Sequence, residues 1–122
     1  MTTKYLIKNV EVSGAVSDIA IENETITAIG KSLKSDGATE FDFTGSVALP
    51  GLVDLHTHLR EPGKEDAETV LSGSQAAARG GFTAISAMAN TSPVADTAGV
   101  VEQVYRLGQS AGLVDVFPIG AV

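Results

Sequence analysis

The sequence has no cysteine, which excludes disulfide bridges and thiolate metal sites and suits a reducing cytoplasm. It has no run of basic residues. With a net charge of −7, nothing in it is suited to neutralising nucleic-acid phosphates. No apolar stretch approaches membrane-spanning length, and the Met-Thr-Thr-Lys start has no signal-peptide core. Histidine is scarce as well: the 122 residues contain two. What remains is an ordinary globular composition, 43% hydrophobic and 19% charged, which argues against disorder. The expectation is a soluble, cytoplasmic protein.

Both histidines fall in one stretch, Gly51-Leu52-Val53-Asp54-Leu55-His56-Thr57-His58-Leu59-Arg60-Glu61-Pro62-Gly63. Polar and apolar residues alternate as in a strand, whose i and i+2 side chains share a face. On that pattern Asp54, His56, His58 and Arg60 project together, while Leu55 and Leu59 face the other way. Two imidazoles on one face can share a metal ion, at roughly 2.0–2.1 Å each if the ion is zinc. Such an ion could polarise water for hydrolysis, and a guanidinium further along could fork onto a carboxylate. A His-x-His pair alone more often binds no metal. Its company here, with an abrupt Arg-Glu-Pro-Gly stop, turns the balance towards a metal site.

Before this stretch, residues 1–49 read as short strands with turns at Ser13-Gly14 and Asn23-Glu24. They suggest a small antiparallel sheet or β-sandwich layer without a catalytic constellation. After it the period changes. Helical spacing runs from Glu65 to Arg79, with Asp66 and Glu68 in the first turns, Arg79 in the last and Gly80-Gly81 as a stop. Phe82–Met88 is a strand, and Asp96 is placed to cap a helix that ends at Gly112. Val114–Ile119 is a further strand. The order from residue 50 is β-α-β-α-β, typical of a parallel sheet with right-handed crossovers.

Asp54-x-His56-x-His58-x-Arg60-x-Pro62-Gly63 resembles the first metal-binding strand of the amidohydrolase superfamily, in the form found in dihydroorotases. Ala76-Ala77-Ala78-Arg79-Gly80-Gly81-Phe82-Thr83 and Met88-Ala89-Asn90-Thr91-Ser92-Pro93-Val94 resemble further segments of that family, in the same order. The resemblance implies an α/β fold: an N-terminal β-sandwich segment, residues 1–49, then the start of a TIM (β/α)8 barrel, residues 50–122. A full barrel needs about 250 residues, so the chain is expected to be a fragment that holds only the barrel's opening.

The resemblance also implies roles. His56 and His58 would bind one of two catalytic zinc ions, while Arg60 and Asn90 would hold a substrate carboxylate. The full protein would hydrolyse dihydroorotate reversibly to N-carbamoyl-aspartate in pyrimidine biosynthesis. No histidine follows His58. The family's remaining histidine ligands therefore lie outside this chain, as the bridging carboxylate or carbamylated lysine and the general acid/base are expected to. The 122 residues alone would be inactive. Family members usually read Met-Pro-Asn-Thr where this chain has Met88-Ala89-Asn90-Thr91, so the fixed φ of proline is lost beside Asn90.

Two other readings stay open. Hydantoinases and allantoinases are related cyclic-amide hydrolases, but they generally lack the Arg-Glu-Pro-Gly sequence. Some dihydroorotase-like chains are non-catalytic partners of aspartate transcarbamoylase, against which the intact His56 and His58 speak. A homodimer is a further partner state left open.

Overall fold

The computed structural model describes residues 2–122. The chain forms two compact units, Met1–Pro50 and Gly51–Val122.

Two hairpins build most of the first unit. Strands β1 (Lys4–Val12), β2 (Ala15–Glu22) and β3 (Thr25–Gly30) are joined by two-residue turns. Ser13-Gly14 has φ of 51° and 85°, and Asn23-Glu24 has 48° and 67°. Positive φ at both central residues is the type I′ geometry, whose twist matches that of paired strands. After Lys31–Ala38 the chain returns to the other side of β1 as β4 (Thr39–Asp42) and β5 (Val47–Ala48). Both pair with β1 in parallel. The sheet runs β3-β2-β1-β4, with β5 also on β1, so it is mixed where an antiparallel sheet was expected. The connection carries β4 back to the start of β1 before it pairs, which fixes the parallel sense. Only one layer of the expected sandwich is present among the described residues.

Leu6, Val10 and Ile19 form the buried part of this unit, together with the carboxylate of Asp18. A register shift in β1 between Ile7 and Val10 places Asn9 at φ 59°. Its backbone N–H donates to Asp18 Oδ1 at 3.1 Å, and that of Leu33 donates to Oδ2 at 3.0 Å. The buried acid is thus satisfied by two amides. A cavity of about 510 Å³ beside it, lined by Lys8, Asn9, Asp18 and Lys31 among others, contains no set of groups suited to acid–base or metal chemistry.

The second unit alternates strand and helix: β6 (Leu52–Thr57), α1 (Val70–Arg79), β7 (Phe82–Ala87), α2 (Ala98–Ala111) and β8 (Asp115–Pro118). The strands pair in parallel in the order β6-β7-β8, as the β-α-β-α-β reading requires. Leu59, Val70, Ile85, Ala87, Val104 and Val116 form its core. Gly108 lets α2 approach β8 closely, because a Cβ there would stand 2.5 Å from that of Val116.

Both helix starts differ from expectation. Helix α1 begins at Val70 rather than Glu65, and its first turn contains no acidic residue. Residues 61–67 are held in turns instead, with Ala67 N–H donating to the Lys64 carbonyl at 3.0 Å and Gly63 N–H to Glu65 at 2.7 Å. Thr69 then starts the helix through a reciprocal capping box with Ser72. Helix α2 is preceded by Thr97, not Asp96, and the Thr97 side chain makes no cap bond. At the C-terminal ends Arg79 and the glycines fall as expected, with Gly81 at φ 83° and Gly112 at 61°.

Candidate metal and substrate site

Strand β6 ends at Thr57, so His56 lies on its last turn of pleat and His58 is the first residue beyond it. The two imidazoles are neighbours, with ring centroids 5.1 Å apart and planes at 68°. Asp54 does not join them as a free carboxylate. Its Oδ1 accepts the backbone N–H of His56 at 2.9 Å, which makes it a brace for the strand end.

The expected alternation stops here. The pairing of β6 with β7 is irregular between Asp54 and Thr57, and Arg60 lies at φ 65°, a region a bulky residue seldom occupies. Glu61 N–H donates to the Leu59 carbonyl at 2.8 Å across this sharp reversal. Leu59 is consequently buried in the core, 2% exposed, while Leu55 is 74% exposed. Arg60 follows the reversal rather than the strand. The half-buried Arg60 takes part in none of the three ion pairs among the described residues. Its two nearby acids are otherwise engaged: Glu61 accepts Val70 N–H at 2.8 Å and Glu65 accepts Gly63 N–H. That backbone hydrogen bond holds the exposed Glu65 carboxyl below its ordinary value.

Asn90 follows β7. Met88 N–H donates to the Thr57 carbonyl at 2.8 Å, extending the pairing past the strand end. Ser92 N–H donates to the Pro62 carbonyl at 2.9 Å, tying the loop after β7 to the loop after β6. Gly63 permits that approach: it has φ 100°, and any Cβ there would collide with Ser92. Across this junction the Oδ1 of Asn90 stands 2.9 Å from Nδ1 of His58. The strand ends expected to be neighbours do meet. The sequence reading missed this bond, since nothing local links residues 32 apart.

The donor chemistry suits a metal such as zinc, because paired imidazole nitrogens are among its commonest ligands. With Asn90 Oδ1 against Nδ1, a metal on this ring would fall to Nε2. No cluster of three or more His, Cys, Asp or Glu occurs among the described residues. A metal held by the two imidazoles would need further ligands to complete its coordination. No helix among the described residues is long and apolar enough to cross a membrane.

The family model described as Dihydro-orotase-like matches residues 45–122. The chain belongs to this family. It is 59% identical over 121 residues to the dihydroorotase of Streptomyces coelicolor, covering 98% of this chain and 28% of that relative. The dihydroorotase of Mycobacterium tuberculosis is 56% identical over 106 residues, covering 86% of this chain and 25% of the relative. The dihydroorotase-like chain thus spans about a quarter of the length of the curated relatives it matches. Among solved structures, the L-hydantoinase (dihydropyrimidinase) of Arthrobacter aurescens superposes with a TM-score of 0.77 at 25% identity, covering 98% of this chain and 28% of that one. The dihydropyrimidinase of Brevibacillus agri gives 0.72 at 30% identity, covering 98% and 27%. The mixed α/β architecture is therefore shared with the hydantoinase and dihydropyrimidinase structures.

Proposed function

We propose that these residues form the opening of a (β/α)8 barrel in a cytoplasmic dihydroorotase, and that His56, His58, Arg60 and Asn90 lie in its active site. In barrel enzymes the site is built at the C-terminal ends of the strands. All four residues follow or end β6 and β7 in that sense. The observation that carries the reading is the meeting of the two loops, through His58 with Asn90 and Ser92 with Pro62.

His56 and His58 would hold zinc together with ligands from the rest of the full-length protein. When bound, the ion supplies the Lewis acidity that amide hydrolysis needs near neutral pH. This chain's part is binding and orientation. Arg60 offers a planar fork of N–H donors with no ion-pair partner to displace, which suits a ring carboxylate. Asn90 turns its carbonyl to His58, so its amide hydrogens remain to donate to the same carboxylate. Two groups on one carboxylate fix the ring's rotation as well as its position, which is the orientational part of catalysis. The substrate is dihydroorotate in one direction and N-carbamoyl-aspartate in the other.

The test is an assay of the zinc-loaded full-length protein in both directions. The reading expects hydrolysis and cyclisation, both abolished by a chelator and restored by zinc; absence of both reactions refutes it. The structural likeness to dihydropyrimidinase and hydantoinase favours one rival, a hydrolase of rings without a carboxylate. Preference for dihydrouracil or hydantoin over dihydroorotate would select that rival.

A further inference from the structure

We infer that Asn90 is a positioning residue for the metal ligand His58 in addition to its place beside the substrate. This rests on the reading that His58 ligates zinc. A carbonyl oxygen can only accept, so the 2.9 Å contact between Asn90 Oδ1 and His58 Nδ1 requires the proton on Nδ1. That fixes one tautomer of the ring, with an unprotonated Nε2. Free in water, a neutral imidazole distributes its proton between the two nitrogens, and the ring turns about its side-chain bonds. Here the bond selects the tautomer and limits the turning before any ion arrives.

Asn90 is well placed for this. The loop after β7 is fastened on both sides of it, by Met88 N–H to Thr57 and by Ser92 N–H to Pro62. Thr91 Oγ1 also donates to the Pro93 carbonyl at 2.7 Å. The amide is thus presented by a pinned segment and not by a loose loop. His56 has no such partner on its ring among the described residues; what braces it is the Asp54 bond to its backbone N–H. The two imidazoles are therefore prepared in different ways, and the orientation of His58 depends on the neighbouring strand. One side chain can serve both tasks because an amide has two ends: the carbonyl goes to His58, and the NH2 stays available to substrate. Outer partners that orient a ligating histidine commonly change metal affinity about 10- to 100-fold when removed.

The test compares Asn90→Ala, Asn90→Asp and His58→Ala in the full-length protein, with zinc affinity measured by chelator competition. Asn90→Asp keeps an oxygen to accept from Nδ1 but loses the amide donors. Asn90→Ala should bind zinc about 10- to 100-fold more weakly than wild type. Asn90→Asp should hold zinc at least as tightly as wild type while losing affinity for the anionic substrate. Nitrogen-15 NMR of the metal-free wild type should show His58 protonated at Nδ1, and Asn90→Ala should show a mixture of tautomers. Wild-type zinc affinity in Asn90→Ala, or equal loss in both Asn90 variants, overturns the inference. If Asn90→Ala does not fold, the wild-type spectrum decides, and a proton on Nε2 of His58 refutes it. Wild-type zinc affinity and stoichiometry in His58→Ala would instead defeat the underlying assignment of His58 as a ligand.

Discussion

The carboxylate of Glu61 accepts the backbone N–H of Val70 at 2.8 Å. One residue from Arg60, it reaches across the loop to the first residue of α1. The helix has no acid in its first turn, so Glu61 supplies from outside the negative charge that a helix N-terminus favours. It also fastens the loop that carries Arg60.

Removing that carboxylate should loosen both. Glu61→Ala is expected to cost about 1 kcal/mol of stability in the full-length protein and to raise KM for dihydroorotate. Glu61→Gln retains an acceptor oxygen and should lose less of each. Thermal denaturation and steady-state kinetics on the two variants check this; equal behaviour of alanine and glutamine would show that the hydrogen bond has no such role.

Asp42 sets a pH dependence in the first unit. Thr44 Oγ1 donates to its carboxylate at 2.7 Å, Asn9 Nδ2 at 3.1 Å and Thr44 N–H at 3.0 Å. The Thr44 hydroxyl first, then the Asn9 amide and the Thr44 backbone, hold its pKa below the ordinary 3.8. A depressed folded-state pKa stabilises the protein at pH values above the unfolded value and ceases to do so as pH falls through the folded one. Asp42→Asn should therefore be less stable than wild type near pH 6, and the gap should close below 3.8. Melting curves over that range test it, and a gap that stays constant would contradict it.

In the second unit, Ser74 is fully buried on α1 and its hydroxyl has no hydrogen-bond partner. Ser74→Ala removes an unsatisfied polar group and should raise stability by about 1 kcal/mol. Ile85, 2% exposed in the middle of β7, should behave oppositely, with Ile85→Ala costing about 2–5 kcal/mol through the cavity it leaves. Denaturant midpoints at unchanged slope read both effects.

The parts legible in the sequence are those governed by neighbours. Ser13-Gly14 and Asn23-Glu24 announce their hairpins because each includes a residue tolerant of positive φ, Gly14 or Asn23, between alternating runs. Helix α2 has a clear apolar stripe and a glycine at its end. The misreadings arise where a tertiary contact overrides a local pattern. Ala67 fits helical spacing, yet residues before Thr69 are held in turns by Gly63, Lys64 and Glu65. Arg60 fits strand alternation, yet it lies at φ 65° in a sharp reversal beyond the strand end. The parallel pairing of β4 and β5 with β1 depends on where a polar connection leads, which its composition does not encode. In the candidate site, the pairing of His56 with His58 was visible in their spacing, and the approach of Asn90 followed from strand order. The bond from His58 to Asn90 and the brace from Asp54 were not visible, because both depend on the exact path of the chain after β6.

Substrate choice gives the most direct test of the account. The measurement is kcat/KM for dihydroorotate relative to dihydrouracil, the same ring without the carboxylate, in the zinc-loaded full-length protein and its Arg60→Gln variant. Wild type should strongly prefer dihydroorotate. Loss of charge-assisted bonds worth about 1.5–3 kcal/mol should lower the ratio by roughly 10- to 100-fold in the variant, through dihydroorotate alone. Equal activity on the two rings in wild type, or an unchanged ratio in Arg60→Gln, would contradict the assignment of this site to a carboxylate-bearing substrate.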